Sequence, residues 1–168
     1  MPRESVSVVI EAPCDTVFTV IHDYSCRLAW DTMLREARLL GGATAAAIGV
    51  RSVCVGTWQS LFLPLETEYV RFEPGEVAAV KLTNHPPFFE HFAATIRHEA
   101  ISDGRSRVIY IYYFRARPRI LAPILEPVMN VMLKREVQQR LHSLRRYVET
   151  QSGLAAGDDS VQSQSGNY

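Results

Sequence analysis

The sequence predicts an α+β domain in which a curved antiparallel sheet of about seven strands wraps around one long C-terminal helix, with two short helices after the first strand. Three observations carry that prediction. Between Pro118 and Thr150, Leu121, Leu125, Met129, Met132, Leu133, Val137, Leu141, Leu144 and Val148 recur mostly at steps of three and four, the stripe of a helix with one face to bury. Such a helix needs a partner of comparable size. Ahead of it, β-branched and aromatic runs alternate with Pro, Gly and Asp-Gly turn signals, and short turns pair consecutive strands antiparallel.

In order, Ser5 to Ile10 is rich in Val and Ile and reads as a strand ended by Ala12-Pro13. Pro13 suits a first helical position, and Cys14 to Ile21 reads as a short helix with Val17, Phe18 and Ile21 on its apolar face. Asp23 can cap a second helix, Tyr24 to Trp30. Strands follow at Met33 to Leu40 and Val50 to Leu61, separated by Gly41-Gly42 and an alanine-rich stretch, Thr44 to Ile48, that fits loop or helical turn equally. Pro64 bends or ends an element, and Leu65 to Phe72 alternates. Glu73-Pro74-Gly75-Glu76 is a turn, from which Val77 to Leu82 returns. After His85-Pro86-Pro87 come Phe88 to Ala100, an Asp103-Gly104 hairpin and Arg107 to Arg117, the strongest strand of the chain. In the long helix, Pro127 predicts a kink or a delayed start. The expected domain is 1–150, and the Ser, Gly, Gln and Asp tail, 151–168, is expected to be disordered.

Composition narrows the function. Lys and Arg number 18 against 18 Asp and Glu, and they do not cluster into a phosphate-reading surface, so no nucleic-acid partner is expected. Three scattered cysteines, Cys14, Cys26 and Cys54, argue against a disulfide scaffold and for a reducing compartment. No signal-type run and no transmembrane length is present, so a cytoplasmic protein without stable membrane insertion is expected. No His, Cys or carboxylate group has metal-ligand spacing, no Gly-rich strand-to-helix loop suits a nucleotide, and no cofactor is expected.

The opening VVIEAPCDTVFTVIHDYSCRLAWD, the FEPGE hairpin, the paired strands around SDGRSRVIYIYYF and the closing amphipathic helix resemble the START-like, or Bet v 1-like, superfamily, which includes the polyketide cyclase/dehydrase and lipid-transport group (SRPBCC). The resemblance covers residues 3–150 and implies a helix-grip fold with a largely apolar cavity beneath the long helix. It implies binding or carriage of a hydrophobic small molecule, such as a lipid, quinone or polyketide. Two alternatives stand beside it. One is an aromatic polyketide cyclase/dehydratase, and the other a non-enzymatic interaction module with a filled core. The chain is expected to act as a monomer or a homodimer.

Given that likeness, ligand-binding candidates are Ile124, Val128, Met129 and Met132 on the helix. On the sheet they are Trp58, Tyr69, Phe92, Tyr110, Tyr112 and Phe114. Tyr110, Tyr112 and Phe114 share one strand face, taken here as the inner one, with Ile109 and Tyr113 outward. His85, Phe88 and Phe89 are candidates for a cavity entrance. His91 and Glu68 are the weak catalytic candidates, as a strand imidazole and carboxylate able to move a proton if buried together. Asp31 and Asp23 fit helix capping or orienting roles, and Arg115, Arg117 and Arg119 fit a solvated edge.

Overall fold

The structure, a computed structural model, describes residues 3–57 and 63–162, the stretch beyond 153 by its backbone alone. Strand β1 (Arg3–Ile10) leads into α1 (Cys14–His22) and α2 (Arg27–Trp30). The remaining strands are β2 (Leu34–Leu39), β3 (Arg51–Gly56), β4 (Pro64–Glu73), β5 (Val77–Leu82), β6 (Phe89–Ser102) and β7 (Arg105–Ala116). A 3-10 turn (Arg119–Leu121) precedes the long helix α3 (Ala122–Gln162). The strands form one antiparallel sheet in the order β1-β7-β6-β5-β4-β3-β2. Only the β1–β7 pair is non-sequential, because α1 and α2 carry the chain across to the far edge. Register shifts at Leu34/Glu36, Tyr69/Arg71, Phe89/His91 and Ala100/Ser102 mark bulges, which bend strands and deepen the curl of the sheet.

Several local expectations are corrected. Pro13 stands just before α1 rather than in its first turn, and its carbonyl accepts the Val17 N–H at 3.2 Å. The second helix is only Arg27–Trp30, preceded by Cys26. Asp23 does not cap it. Its carboxylate accepts the Ser25 N–H (2.8 Å) and hydroxyl (2.6 Å), which closes the turn between the two helices. Pro64, expected to bend or end an element, opens β4, and of the two readings left open for 44–48 the structure has loop.

Helix α3 starts ahead of Pro127, with Pro123 in its first turn, where a missing N–H costs nothing. Its far end runs past Thr150 into the segment read as a disordered tail. Extending an existing helix adds a hydrogen bond per residue with no new nucleus, and 151–162 contains no proline.

The Glu73–Glu76 turn has one strict requirement. Gly75 has φ +77°, and a Cβ there would collide with the Asp15 carboxylate. The Asp15 side chain is exposed and can swing aside, so the cost of Gly75→Ala is set by the left-handed backbone, about 1 kcal/mol. A urea titration checks this, and an unchanged midpoint would mean that the turn bears no such strain.

The core forms between the sheet and the middle of α3, 137–148. Val137, Leu141, Leu144 and Val148, spaced 4-3-4, meet Val8 and Ile10 of β1 and Val108 and Tyr110 of β7, with Trp30 and Ile21 closing the side. Leu144 and Val108 are fully buried. Burying one such side chain contributes about 1.5–3 kcal/mol, so this stretch of α3 is held firmly. The start of α3 packs differently. Ile124, Val128 and Val131 are exposed, as is Ile120 in the turn before it, and the helix lifts away from the sheet over a hollow.

Candidate functional site

The hollow is a cavity of about 180 Å³ between α3 and the concave face of β3–β7. It lies there because α3 packs chiefly on β1 and β7, which leaves the other strands curling beneath a helix they do not reach. Strand alternation selects the wall. On β4, Leu65, Thr67 and Tyr69 point in, and on β5 and β6, Val80, Ala94 and Ile96 point in. The roof is Met129, Met132, Leu133, Glu136, Val137 and Arg140, one face of α3. Met132 and Phe88 both line the cavity and are exposed, at 43% and 42%, so they mark its mouth. Phe88 also holds φ 69°, a conformation that costs a non-glycine residue energy and is found at functional sites more often than elsewhere.

From Met132 to Arg140 the roof changes from apolar to charged over about 12 Å of helix rise. The polar end is one connected cluster. Asp31 is completely buried, and its Oδ2 accepts the Arg27 Nε–H at 3.1 Å. Arg140 Nε lies 2.9 Å from the same oxygen, but its N–H is not aimed at it, so this contact is an ion pair without a hydrogen bond. Arg140 reaches Glu136 at 3.4 Å. The Arg27 guanidinium also donates to the Ile21 carbonyl (2.6 Å) and covers the Trp30 ring at 4.6 Å. Burial is the largest influence on both guanidinium groups and works against their charge, but the Asp31 carboxylate and the ionisable groups around it together outweigh it, and their pKa values are raised.

Beside this pair runs a chain of neutral groups. His22 Nδ1 meets Tyr69 Oη at 3.0 Å, and Tyr69 Oη meets Tyr24 Oη at 3.2 Å. Burial, then the Arg27 charge and His98, push His22 down to about 3, and burial raises Tyr24 and Tyr69. All three are neutral near pH 7 and able to donate or accept. Burial pushes the Cys54 thiol up against the pull of Arg27 and Arg140, which leaves it un-ionised. Tyr112, pushed up to about 12 chiefly by burial, donates to Asn130 Oδ1 at 3.2 Å, and Asn130 in turn donates to Glu4. Among the described residues, no three His, Cys, Asp or Glu side chains come together as a metal site requires.

Of the residues singled out by sequence, Tyr69, Phe92, Tyr110, Tyr112, Met129, Met132, Phe88 and Phe89 line the cavity. Others do not. Phe114 faces inward but is sealed in the core behind Phe89 and Tyr112. Ile124 and Val128 are 70% and 58% exposed. At 3.6 residues per turn, Ile124 falls on the far side of the helix from Met129. His85 is exposed and away from the wall. His91 projects to solvent, 4.0 Å from Glu90, because β6 alternation turns Phe92 inward in its place. Glu68 points outward to Lys81 (3.6 Å) because Thr67 and Tyr69 take the inner face, so His91 and Glu68 do not form a buried pair. Trp58 lies outside the described residues.

Sequence reasoning missed Arg27, Arg140, Glu136, Tyr24 and His22 as cavity-wall residues. A signal was present. Glu136 and Arg140 stand four apart, interleaved with Leu133, Val137 and Leu141 on the stripe that must be buried.

The fold and site define a helix-grip protein of the hydrophobic-ligand-binding type, with a hollow between a half-barrel sheet and its long helix. Residues 1–149 match the family described as polyketide cyclase / dehydrase and lipid transport, and the chain belongs to that family. No curated protein matches it in sequence. Among solved structures it is similar to a protein from Thermus thermophilus, at TM-score 0.75 and 14% identity over 90% of this chain and 99% of that one. It is also similar to the Zhui aromatase/cyclase from Streptomyces sp. R1128, at TM-score 0.74 and 15% identity over 88% of this chain and 93% of that one. A third is the di-domain ARO/CYC BexL of the BE-7585A biosynthetic pathway, at TM-score 0.73 and 14% identity over 89% of this chain. This chain spans 47% of that protein's length, about half. At such identities these likenesses are likenesses of fold. No helix among the described residues is long and apolar enough to cross a membrane.

Proposed function

We propose that this protein binds or carries a compact hydrophobic small molecule, of lipid, quinone or polyketide-like character, in the cavity beneath α3. The observation that carries the reading is a hollow with apolar walls for most of its length, open beside Phe88 and Met132 and closed by a polar cluster. At about 180 Å³ it holds roughly six water volumes at ~30 Å³ each, and it is smaller than the ~300 Å³ at which ordinary small-molecule pockets begin. A ligand no larger than a few fused rings suits it better than a sterol. Burying about 200 Å² of apolar ligand surface there would contribute about 5 kcal/mol before ordering costs.

A cyclase or dehydratase reading keeps its place because of the polar end. Tyr24, Tyr69 and the two arginines are donors able to polarise a ligand carbonyl, and neutral His22 sits behind Tyr69. Holding a poly-ketone chain folded against them would supply part of any rate. The hollow counts against an interaction module with a filled core. Native mass spectrometry of freshly purified protein, followed by denaturing extraction, tests the binding reading. A stoichiometric, oxygen-bearing apolar compound is expected. Bare protein that also fails to take up small aromatic compounds would reject it.

A further inference from the structure

The outer face of the start of α3 is apolar and uncovered. Ile124, Val128, Val131 and Met132 fall within about 100° of arc around the helix, and all are exposed. Ile120 and Leu121, in the turn just before, extend this strip, and Ile120 is 86% exposed. A helix ordinarily turns such side chains to the core, and a contiguous exposed strip of them marks a contact surface. Met132 belongs both to the strip and to the cavity mouth, so the strip runs up to the opening. Cations border it. Arg117 and Arg119 stand at its start, and Arg135 lies seven residues beyond Val128, on the same line of the helix. The carboxylates at this end are engaged. Glu90 accepts from Arg119 at 2.6 Å, Glu4 from Lys134 at 3.3 Å, and Glu126 from the Ala116 N–H at 3.2 Å. Arg117 and Arg135 are exposed, and their guanidinium groups have no partner among the described residues.

We propose that this strip docks on the surface of a lipid bilayer carrying anionic headgroups, with the cavity mouth turned toward the acyl chains. The proposal rests on the ligand-binding reading only for what docking achieves, which is passage of a hydrophobic ligand between bilayer and cavity without crossing water. The aliphatic side chains enter below the headgroups while Arg117 and Arg135 meet the phosphates, the arrangement of a helix that lies in an interface rather than spanning it. Two features select a bilayer over a protein. A second copy paired through the same face about a two-fold axis would bring these like charges together with no free carboxylate between them. The strip is also an aliphatic ridge without the Trp or Tyr anchors of a protein hot spot, and fluid acyl chains need no fixed socket to receive it.

Flotation of the whole chain with vesicles of phosphatidylcholine alone, and of phosphatidylcholine with about 30% phosphatidylglycerol, tests this. Binding to the anionic vesicles is expected to be about tenfold tighter or better, and to weaken in about 0.5 M salt. The double variants Ile124→Gln/Val128→Gln and Arg117→Gln/Arg135→Gln should each lose about tenfold or more of that binding. Both should keep the urea midpoint of the unaltered chain, because all four side chains are exposed. No flotation, equal binding to the two vesicles, or undiminished binding in either variant would overturn the proposal. So would a dimer in sedimentation velocity that Ile124→Gln/Val128→Gln dissolves, which would give the strip to a second copy. A chain that takes up naphthalene yet does not float would overturn the docking and leave the cavity reading standing. One that floats yet takes up no naphthalene would overturn the cavity reading and leave the docking.

Discussion

The Asp31→Ala variant is expected to lose about 3–5 kcal/mol of stability, the usual result of removing one partner from a buried ion pair. Asp31 is wholly buried, and its Oδ2 stands 3.1 Å from Arg27 and 2.9 Å from Arg140. Both arginines would remain in place, held by the Ile21 carbonyl, the Trp30 ring and Glu136, with no carboxylate between them. Oδ1 also accepts the Met33 N–H at 3.3 Å, so the start of β2 loses an anchor as well. Exposed pairs are the contrast. Arg38–Glu36 and Arg71–Glu73 lie at the surface, and removing either should cost less than about 1 kcal/mol. Urea denaturation of the three variants makes the comparison, and an Asp31→Ala loss no larger than the surface losses would contradict the network's place in the fold.

Acid should destabilise the protein before most carboxylates are protonated, because two histidines are buried uncharged. His22 is pushed down to about 3, by burial first and then by Arg27 and His98, and His98 is pushed down to about 4 by burial. They flank Phe18, whose ring is 4.5 Å from His22 and 5.1 Å from His98, with Phe72 and Tyr69 completing the enclosure. Neither ring nitrogen of His98 has a partner among the described residues. The folded pKa values lie below the unfolded value of 6.5. Stability from these groups is therefore complete above 6.5 and is lost as pH falls from there toward 4 and then 3, since only the unfolded chain takes up the protons. Each histidine should remove about 2 kcal/mol between pH 7 and pH 5. Chemical denaturation at both pH values should show His98→Leu losing about half of the drop seen in the unaltered chain. An identical drop in His98→Leu would mean that His98 is protonated in the folded state.

The architecture was legible because it rests on periodicity. The 4-3-4 spacing of Val137, Leu141, Leu144 and Val148 names the buried face without any tertiary information. The alternation through β7 separates Tyr110, Tyr112 and Phe114 from exposed Tyr113 in the same way. The candidate site was legible only where wall residues are apolar and aligned with those periods, as for Met129, Tyr69 and Phe92. Ile124 and Val128 show the limit of that reasoning. Apolar character alone placed them in the wall, and helix geometry puts them on the solvent side. The polar end was not legible, since Arg27, Asp31 and Arg140 come from α2, its C-terminal flank and α3. Only the folded chain joins residues separated by more than a hundred positions. Gly75 gives the opposite case. The turn and its glycine were plain in the sequence, and the approach of the Asp15 carboxylate of α1 to Gly75 was not.

Methionine methyl NMR during titration with naphthalene tests the hollow beneath α3 most directly, because the chain has only 4 methionines and they report from distinct places. Met129 and Met132 line the cavity, whereas Met33 is buried outside it at 5% exposure. The Met129 and Met132 resonances should shift together and saturate while Met33 stays fixed. Resonances that all stay fixed through saturation with naphthalene, or a Met33 shift as large as the other two, would contradict a ligand cavity roofed by this helix.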